Sequence, residues 1–170
     1  PSHPDTVPES ERLTENVMRS GATVQLNNST DDYLTAMAPV DKSLIFGTAP
    51  RPWKAGQQLL GLVGWSESMN HNDVAAAVAK KAPDKIIPFM SLHPLDPNVD
   101  EEYDRCLNDL GCKGIKLLPN YQDFDPVGED AFKLFARLED DGLPIVFHQG
   151  TGTLWDAPLM YAHPIVMDSI

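Results

Sequence analysis

Gly114-Ile115-Lys116-Leu117-Leu118 and Leu143-Pro144-Ile145-Val146-Phe147 are two short apolar runs, and a helical pattern over residues 128–141 separates them. The large apolar side chains of that pattern share one stripe of the predicted helix: Phe132, Phe135 and Leu138. Strands that alternate with helices of about 10 to 15 residues are typical of right-handed βαβ units. The two runs are therefore predicted to be neighbouring parallel strands.

The same alternation extends toward the N-terminus. The upstream elements are, in order, a strand over 43–46, a helix over 72–81, a strand over 86–91 and a helix over 96–110. Asn72 or Asp73 is expected to cap the first of these helices. Pro88 and Pro144 are assigned to strand starts, where the missing N–H costs least. Further helices are predicted over 9–20, over 31–37 and from near Pro164.

Two architectures accommodate this alternation: an open doubly wound sheet and a closed eight-stranded barrel. A doubly wound fold normally has a glycine-rich phosphate-binding loop after its first strand, and the sequence has none. We therefore predict an α/β fold of the (β/α)8 TIM-barrel class. Because such a barrel needs about 250 residues, the chain is expected to hold about half of it, strands 2–5, as a single partial domain over residues 1–170.

Composition restricts the partners. The chain has 25 acidic and 13 basic residues, which gives a net charge of −12. That charge repels phosphate backbones and anionic lipids, so nucleic-acid and membrane partners are not expected, whereas a small-molecule substrate is. The two cysteines form neither a disulfide framework nor a common zinc motif, which favours the cytoplasm. Residue 1 is proline, so we expect the natural N-terminus to lie upstream. Assembly into a homo-oligomer is possible on the sequence alone, which does not determine the oligomeric state.

His148 is the strongest candidate for a functional residue. It ends the last apolar run and precedes Gln149 and Gly150. Active sites of parallel α/β folds lie at the carboxyl ends of the strands, where a neutral imidazole is a good zinc ligand. The alternative is a half-buried histidine bonded to a neighbouring carbonyl. A catalytic zinc takes three protein ligands, so one histidine does not by itself define a metal site.

Three further residues are candidates for contact with a substrate. His93 ends the 86–91 strand, where it either lines the pocket or bonds a loop backbone group. Lys116 lies among apolar residues, and since burying a lone charge is costly, it binds either a substrate carboxylate or a structural carboxylate. Trp155 follows His148 and either walls a substrate pocket or packs on the rim.

Residues 111–119 and 142–150 together resemble the middle of the amidohydrolase-related family, which includes metal-dependent hydrolases and decarboxylases related to aminocarboxymuconate semialdehyde decarboxylase. Residues 40–47 resemble the family's second strand, and residues 89–97 its third. The likeness is closest from about residue 84 onward. Where the family often has histidine, this chain has Leu118.

The resemblance implies a divalent metal, usually zinc, in the mouth of a barrel. The family's ligands are a His-x-His pair on strand one, a histidine ending strand five and an aspartate on strand eight. His148 matches the strand-five histidine, and the others are expected outside this chain, which would make it an internal fragment that is inactive alone. The implied activity is hydrolysis of a carbonyl, lactone or amide substrate; the alternatives are decarboxylation on the same scaffold and a non-catalytic, shortened barrel.

Overall fold

The computed structural model describes residues 15–17, 23–25, 30–54, 70–151 and 157–170. Strands β1 (Glu15–Val17) and β2 (Thr23–Gln25) form an antiparallel pair. The helix predicted over residues 9–20 is therefore wrong at Glu15–Val17. A single pair of apolar residues four positions apart was its main support, which is a weak signal beside a ladder with a second segment.

Four parallel strands follow, and they correspond to the predicted strands 2–5 of the barrel. They are β3 (Ser43–Ile45), β4 (Ile86–Pro88), β5 (Ile115–Leu117) and β6 (Ile145–Phe147). Strand β3 pairs with β4, and β5 pairs with β6, both in parallel. A parallel bridge between Met90 and Ile115 joins the two pairs, and the Lys116 N–H donates to the Met90 carbonyl at 2.8 Å. The order in space is therefore β3-β4-β5-β6.

Helices connect the strands. They are α1 (Thr30–Ala36), α2 (His71–Lys81), α3 (Val99–Asn108), α4 (Pro119–Gln122) and α5 (Glu129–Asp140). Short 3-10 helices cover Pro52–Lys54, Leu159–Ala162 and Pro164–Ser169. The last of these stands where a helix was predicted near Pro164. No helix of the part of the chain described above is long and apolar enough to cross a membrane.

The N-cap of α2 is Asn70, so the prediction of Asn72 or Asp73 is wrong. The Asn70 side chain accepts a hydrogen bond from the Asn72 N–H at 2.7 Å. Asn72 is fully buried, and its side-chain oxygen accepts from the Ser91 N–H at 2.9 Å. Its amide therefore ties α2 to the chain just after β4, a contact that the local sequence does not reveal.

Two other local predictions need correction. Pro88 is the last residue of β4 rather than its first, and its carbonyl accepts a hydrogen bond from the Lys113 N–H at 2.9 Å. Phe132 was placed on the buried stripe of α5 but is 41% exposed, and Leu134 is buried instead. Leu134 packs in the main core cluster with Phe135 and Leu138.

The strands have one face against the helices. Leu117 and Phe147 pack in the cluster that includes the buried side of α5, and Ile45 packs with the buried side of α2. Because successive strand residues point to opposite faces, Lys116 and Val146 point away from those helices. This second face is the one that a closed barrel turns inward.

Candidate metal and substrate site

His148 lies at the carboxyl end of β6, as the sequence predicted. Its N–H donates to the Leu117 carbonyl at 2.8 Å, which extends the β5–β6 ladder by one bond. The Nε2 atom is buried and has no hydrogen-bond partner among the described residues. The ring stands edge-on to that of Tyr121, with centroids 5.1 Å apart. The carbonyl-bonded alternative therefore does not hold for Nε2.

The surroundings of His148 keep its ring neutral. Burial lowers the pKa of the imidazole, and the positive charge of Lys116 lowers it further. A neutral imidazole with an unpartnered, buried nitrogen is the form that binds a metal ion. The residue therefore fits the ligand role that the family implies. Within the described residues, no group of three or more His, Cys, Asp and Glu side chains could hold a metal.

Lys116 is the buried cation next to His148. Its side chain is 8% exposed, and Nζ lies 5.6 Å from the centroid of the Phe46 ring. Burial alone lowers the pKa of its ammonium group. Among the residues that the structure describes, no carboxylate pairs with it. Both roles predicted for it, contact with a substrate carboxylate and with a structural one, stay predictions.

The short helix α4 brings further polar groups to this end of the sheet. Asn120 is fully buried, and neither atom of its side-chain amide has a hydrogen-bond partner within the described part of the chain. Tyr121 contacts His148, and its carbonyl accepts from Nε of the buried Arg51 at 3.0 Å. Sequence reasoning missed these three residues. For Asn120 and Tyr121, the polar segment directly after β5 was the available signal in the sequence.

Gln122 fastens the loops at the carboxyl ends of three strands. Its side-chain oxygen accepts from the Leu118 N–H at 2.8 Å, and its Nε2 donates to the Leu92 carbonyl at 2.8 Å and the Ala49 carbonyl at 3.5 Å. Those partners follow β5, β4 and β3 respectively. Gln122 is fully buried, so these bonds fix the rim on which the candidate site lies.

Both ring nitrogens of His93 are occupied by backbone groups. Nε2 donates to the Gln122 carbonyl at 2.9 Å, and Nδ1 accepts from the Leu95 N–H at 3.1 Å. Burial lowers the pKa of this imidazole. Of the two predicted roles, the geometry favours the loop-backbone contact, which leaves only the ring faces for a ligand. Trp53 already stands edge-on to this ring at 5.3 Å.

Trp155, the third predicted substrate contact, lies outside the described residues. Its assignment to a pocket wall or to the rim stays a prediction. The structure thus brings Lys116 and His148 together on one face, and it places His93 in the loop framework beside them.

The sequence profile of the amidohydrolase family matches residues 27–169, which span all four parallel strands and His148. The chain belongs to the amidohydrolase family. This confirms the resemblance found in the sequence. No curated protein sequence matches the chain at a significant level.

Solved structures support the barrel. An uncharacterized TIM-barrel protein from Bordetella bronchiseptica has a TM-score of 0.60 and 23% identity, over 81% of this chain and 45% of its own. 5-Carboxyvanillate decarboxylase from Novosphingobium aromaticivorans, with bound manganese and 3-methoxy-4-hydroxy-5-nitrobenzoic acid, has a TM-score of 0.53 and 21% identity, over 81% and 38%. 4-Oxalomesaconate hydratase from Rhodopseudomonas palustris has a TM-score of 0.52 and 15% identity, over 69% and 36%.

These similarities confirm the predicted TIM-barrel class. The chain spans less than half the length of each of these structures. At such identities they report on the fold and not on the reaction. The family shows that the chain is part of an enzyme scaffold of the amidohydrolase type.

Proposed function

We propose that this chain contributes to a metal-dependent hydrolase that acts on a small carbonyl-, lactone- or amide-containing substrate, with His148 as one metal ligand. The observation that carries the proposal is the buried, unpartnered Nε2 of His148 at the carboxyl end of β6. A bound divalent ion, expected to be zinc, would polarise the substrate carbonyl and lower the pKa of water.

The residues around His148 restrict its backbone and ring and favour the neutral form of its imidazole. The hydrogen bond from its N–H to Leu117 fixes the backbone, and the edge contact with Tyr121 restricts the ring. Its lowered pKa keeps a lone pair on the ring near neutral pH, so binding a metal does not first require the loss of a proton.

Decarboxylation is the second candidate. Lys116 supports it, because a buried ammonium group suits a substrate that carries a carboxylate. Product analysis separates the two candidates: carbon dioxide released from a panel of aromatic acids favours the lyase, whereas ring opening of lactones without carbon dioxide favours the hydrolase.

Metal content tests the proposal directly. The full-length protein that contains this chain is purified, and its zinc and manganese are measured by elemental analysis beside those of His148→Ala. His163→Ala is the matched control, because His163 is exposed and only caps a short 3-10 helix. We expect the first variant to lose most of the metal and the control to keep it. Equal metal in all three proteins contradicts the ligand role, whereas no metal in any of them favours the non-catalytic alternative.

A further inference from the structure

Lys116 carries a positive charge on the inward face of the sheet, among the residues that surround His148. Its neighbours on the chain, Ile115 and Leu117, are fully buried on the helix side. An isolated buried ammonium group is costly unless another group compensates it. The ring of Phe46 offers a cation–π contact at 5.6 Å, which is only partial compensation.

The missing counter-charge is informative because acidic residues are abundant. The chain has 25 of them, yet none in the described residues pairs with Lys116. Two partly exposed arginines on the helices behave differently: Arg105 binds Asp73 and Glu102, and Arg137 binds Asp100 and Asp104. A lysine that serves only the fold would be expected to follow the same rule.

The register places Lys116 beside the candidate metal ligand. Lys116 is paired with Val146 in the β5–β6 ladder, and His148 lies two residues after Val146, directly past the end of β6. Residues two apart in a strand share a face and are separated by about 6 to 7 Å along it.

We propose that Lys116 anchors a carboxylate of the substrate, so that the reactive part of a small organic acid is held at His148. The inference rests on the proposed function only where it calls the bound acid the substrate. Binding of a carboxylate by Lys116, which we call the anion site, needs no metal. The apolar rings of Phe46 and Tyr121, which contact Lys116 and His148 respectively, fit a compact apolar body on that acid.

Binding to the metal-free, full-length protein tests the anion site. The probes are acetate, benzoate and succinate, with benzamide as the neutral analogue of benzoate and inorganic phosphate as the other anion class. Binding is measured by NMR titration in the presence of a chelator. We expect at least one carboxylate to bind, and we expect Lys116→Met to weaken it by about tenfold or more, since a hydrogen bond to a charged group is lost.

Matched variants make the result specific. Lys116→Arg keeps the charge and should retain binding within a few-fold. Lys113→Met removes a lysine that is exposed and should leave binding unchanged. Benzamide binding should not respond to Lys116→Met. The inference is overturned if no carboxylate binds, if phosphate alone binds, or if Lys116→Met and Lys113→Met bind the acid equally well.

The outcome is distinguishable from failure of the metal site. If His148→Ala loses no metal but Lys116→Met loses benzoate, the metal-ligand proposal fails and the anion site stands. If His148→Ala loses metal but Lys116→Met binds benzoate as well as the wild type does, the anion-site proposal fails and the metal-ligand proposal stands. Circular dichroism of each variant checks the fold, and Lys116→Gln replaces Lys116→Met should the latter misfold.

Discussion

The side chain of Gln122 donates a hydrogen bond to the carbonyl of Leu92 at 2.8 Å, across 30 residues of sequence. The bond joins the segment after β5 to the segment after β4. The oxygen of the same amide accepts from Leu118, so one buried side chain satisfies backbone groups from two loops. The rim of the candidate site therefore depends on the side-chain amide of Gln122.

Gln122→Leu is expected to destabilise the protein by about 2 to 3 kcal/mol. Leucine fills a similar volume but leaves the Leu118 N–H and the Leu92 carbonyl buried without partners, and each such loss costs about 1 to 3 kcal/mol. Urea denaturation measures the change in the free energy of unfolding. The control is Gln149→Leu at an exposed position. A loss no larger than that of the control would show that water replaces the amide.

Lys116→Met is expected to raise the free energy of unfolding by about 1 to 3 kcal/mol, because replacing a buried charge with an apolar side chain often stabilises a protein. The loss of the contact with Phe46 offsets part of this gain. Thermal and urea denaturation of the variant and of Lys113→Met give the comparison. A marked loss of stability would mean that the ammonium group has a structural partner.

Sequence reasoning succeeded where a signal is local. The four apolar runs predicted the four parallel strands, and the end of the last run located His148, because a strand that is buried on both faces is a continuous apolar segment. The metal role of that residue stays a proposal.

The roles of Gln122, Asn120 and Asn72 could not be predicted in the same way. Asn72 bonds to Ser91 across 19 residues, and Gln122 bonds to Leu92 across 30. In sequence, a polar residue with so distant a partner looks like any loop residue. The strand at Glu15–Val17 was missed for a related reason: its ladder partner, not its own pattern, determines its conformation.

Gly114→Ala is expected to destabilise the protein by about 1 to 3 kcal/mol through overpacking. A Cβ at this position would lie 2.5 Å from the Phe89 ring and 2.7 Å from the Pro144 carbonyl oxygen. The ring can shift, but the carbonyl belongs to the ladder, since it accepts from the Ile115 N–H at 3.0 Å. Urea denaturation checks the loss against Lys113→Ala, the exposed neighbouring position. If both changes lower the free energy of unfolding equally, β5 and β6 can move apart enough to accept the methyl group without strain.

Glu102 links α3 to α2, and this link predicts a pH dependence. Its carboxylate accepts hydrogen bonds from Asn70 at 2.9 Å, from Asn72 at 2.8 Å and from Arg105 at 2.8 Å. Burial opposes its ionisation, but the bonds from Arg105, Asn72 and Asn70 outweigh that effect and lower the pKa of Glu102 from 4.5 to about 2. The folded state therefore binds the proton more weakly than the unfolded chain does.

Glu102→Gln is expected to cost about 1 to 2 kcal/mol at neutral pH, because the charge that Arg105 binds is lost. A carboxyl group whose pKa is lower in the folded state stabilises fully above the unfolded pKa, and the stabilisation disappears as the pH falls through the folded pKa. The difference between the wild type and the variant should thus be constant above about pH 4.5 and shrink toward pH 2. Urea denaturation across this range, with Glu139→Gln at an exposed position of α5 as control, measures it. A difference that stays constant down to pH 2 would mean that the amide, rather than the charge, explains the loss.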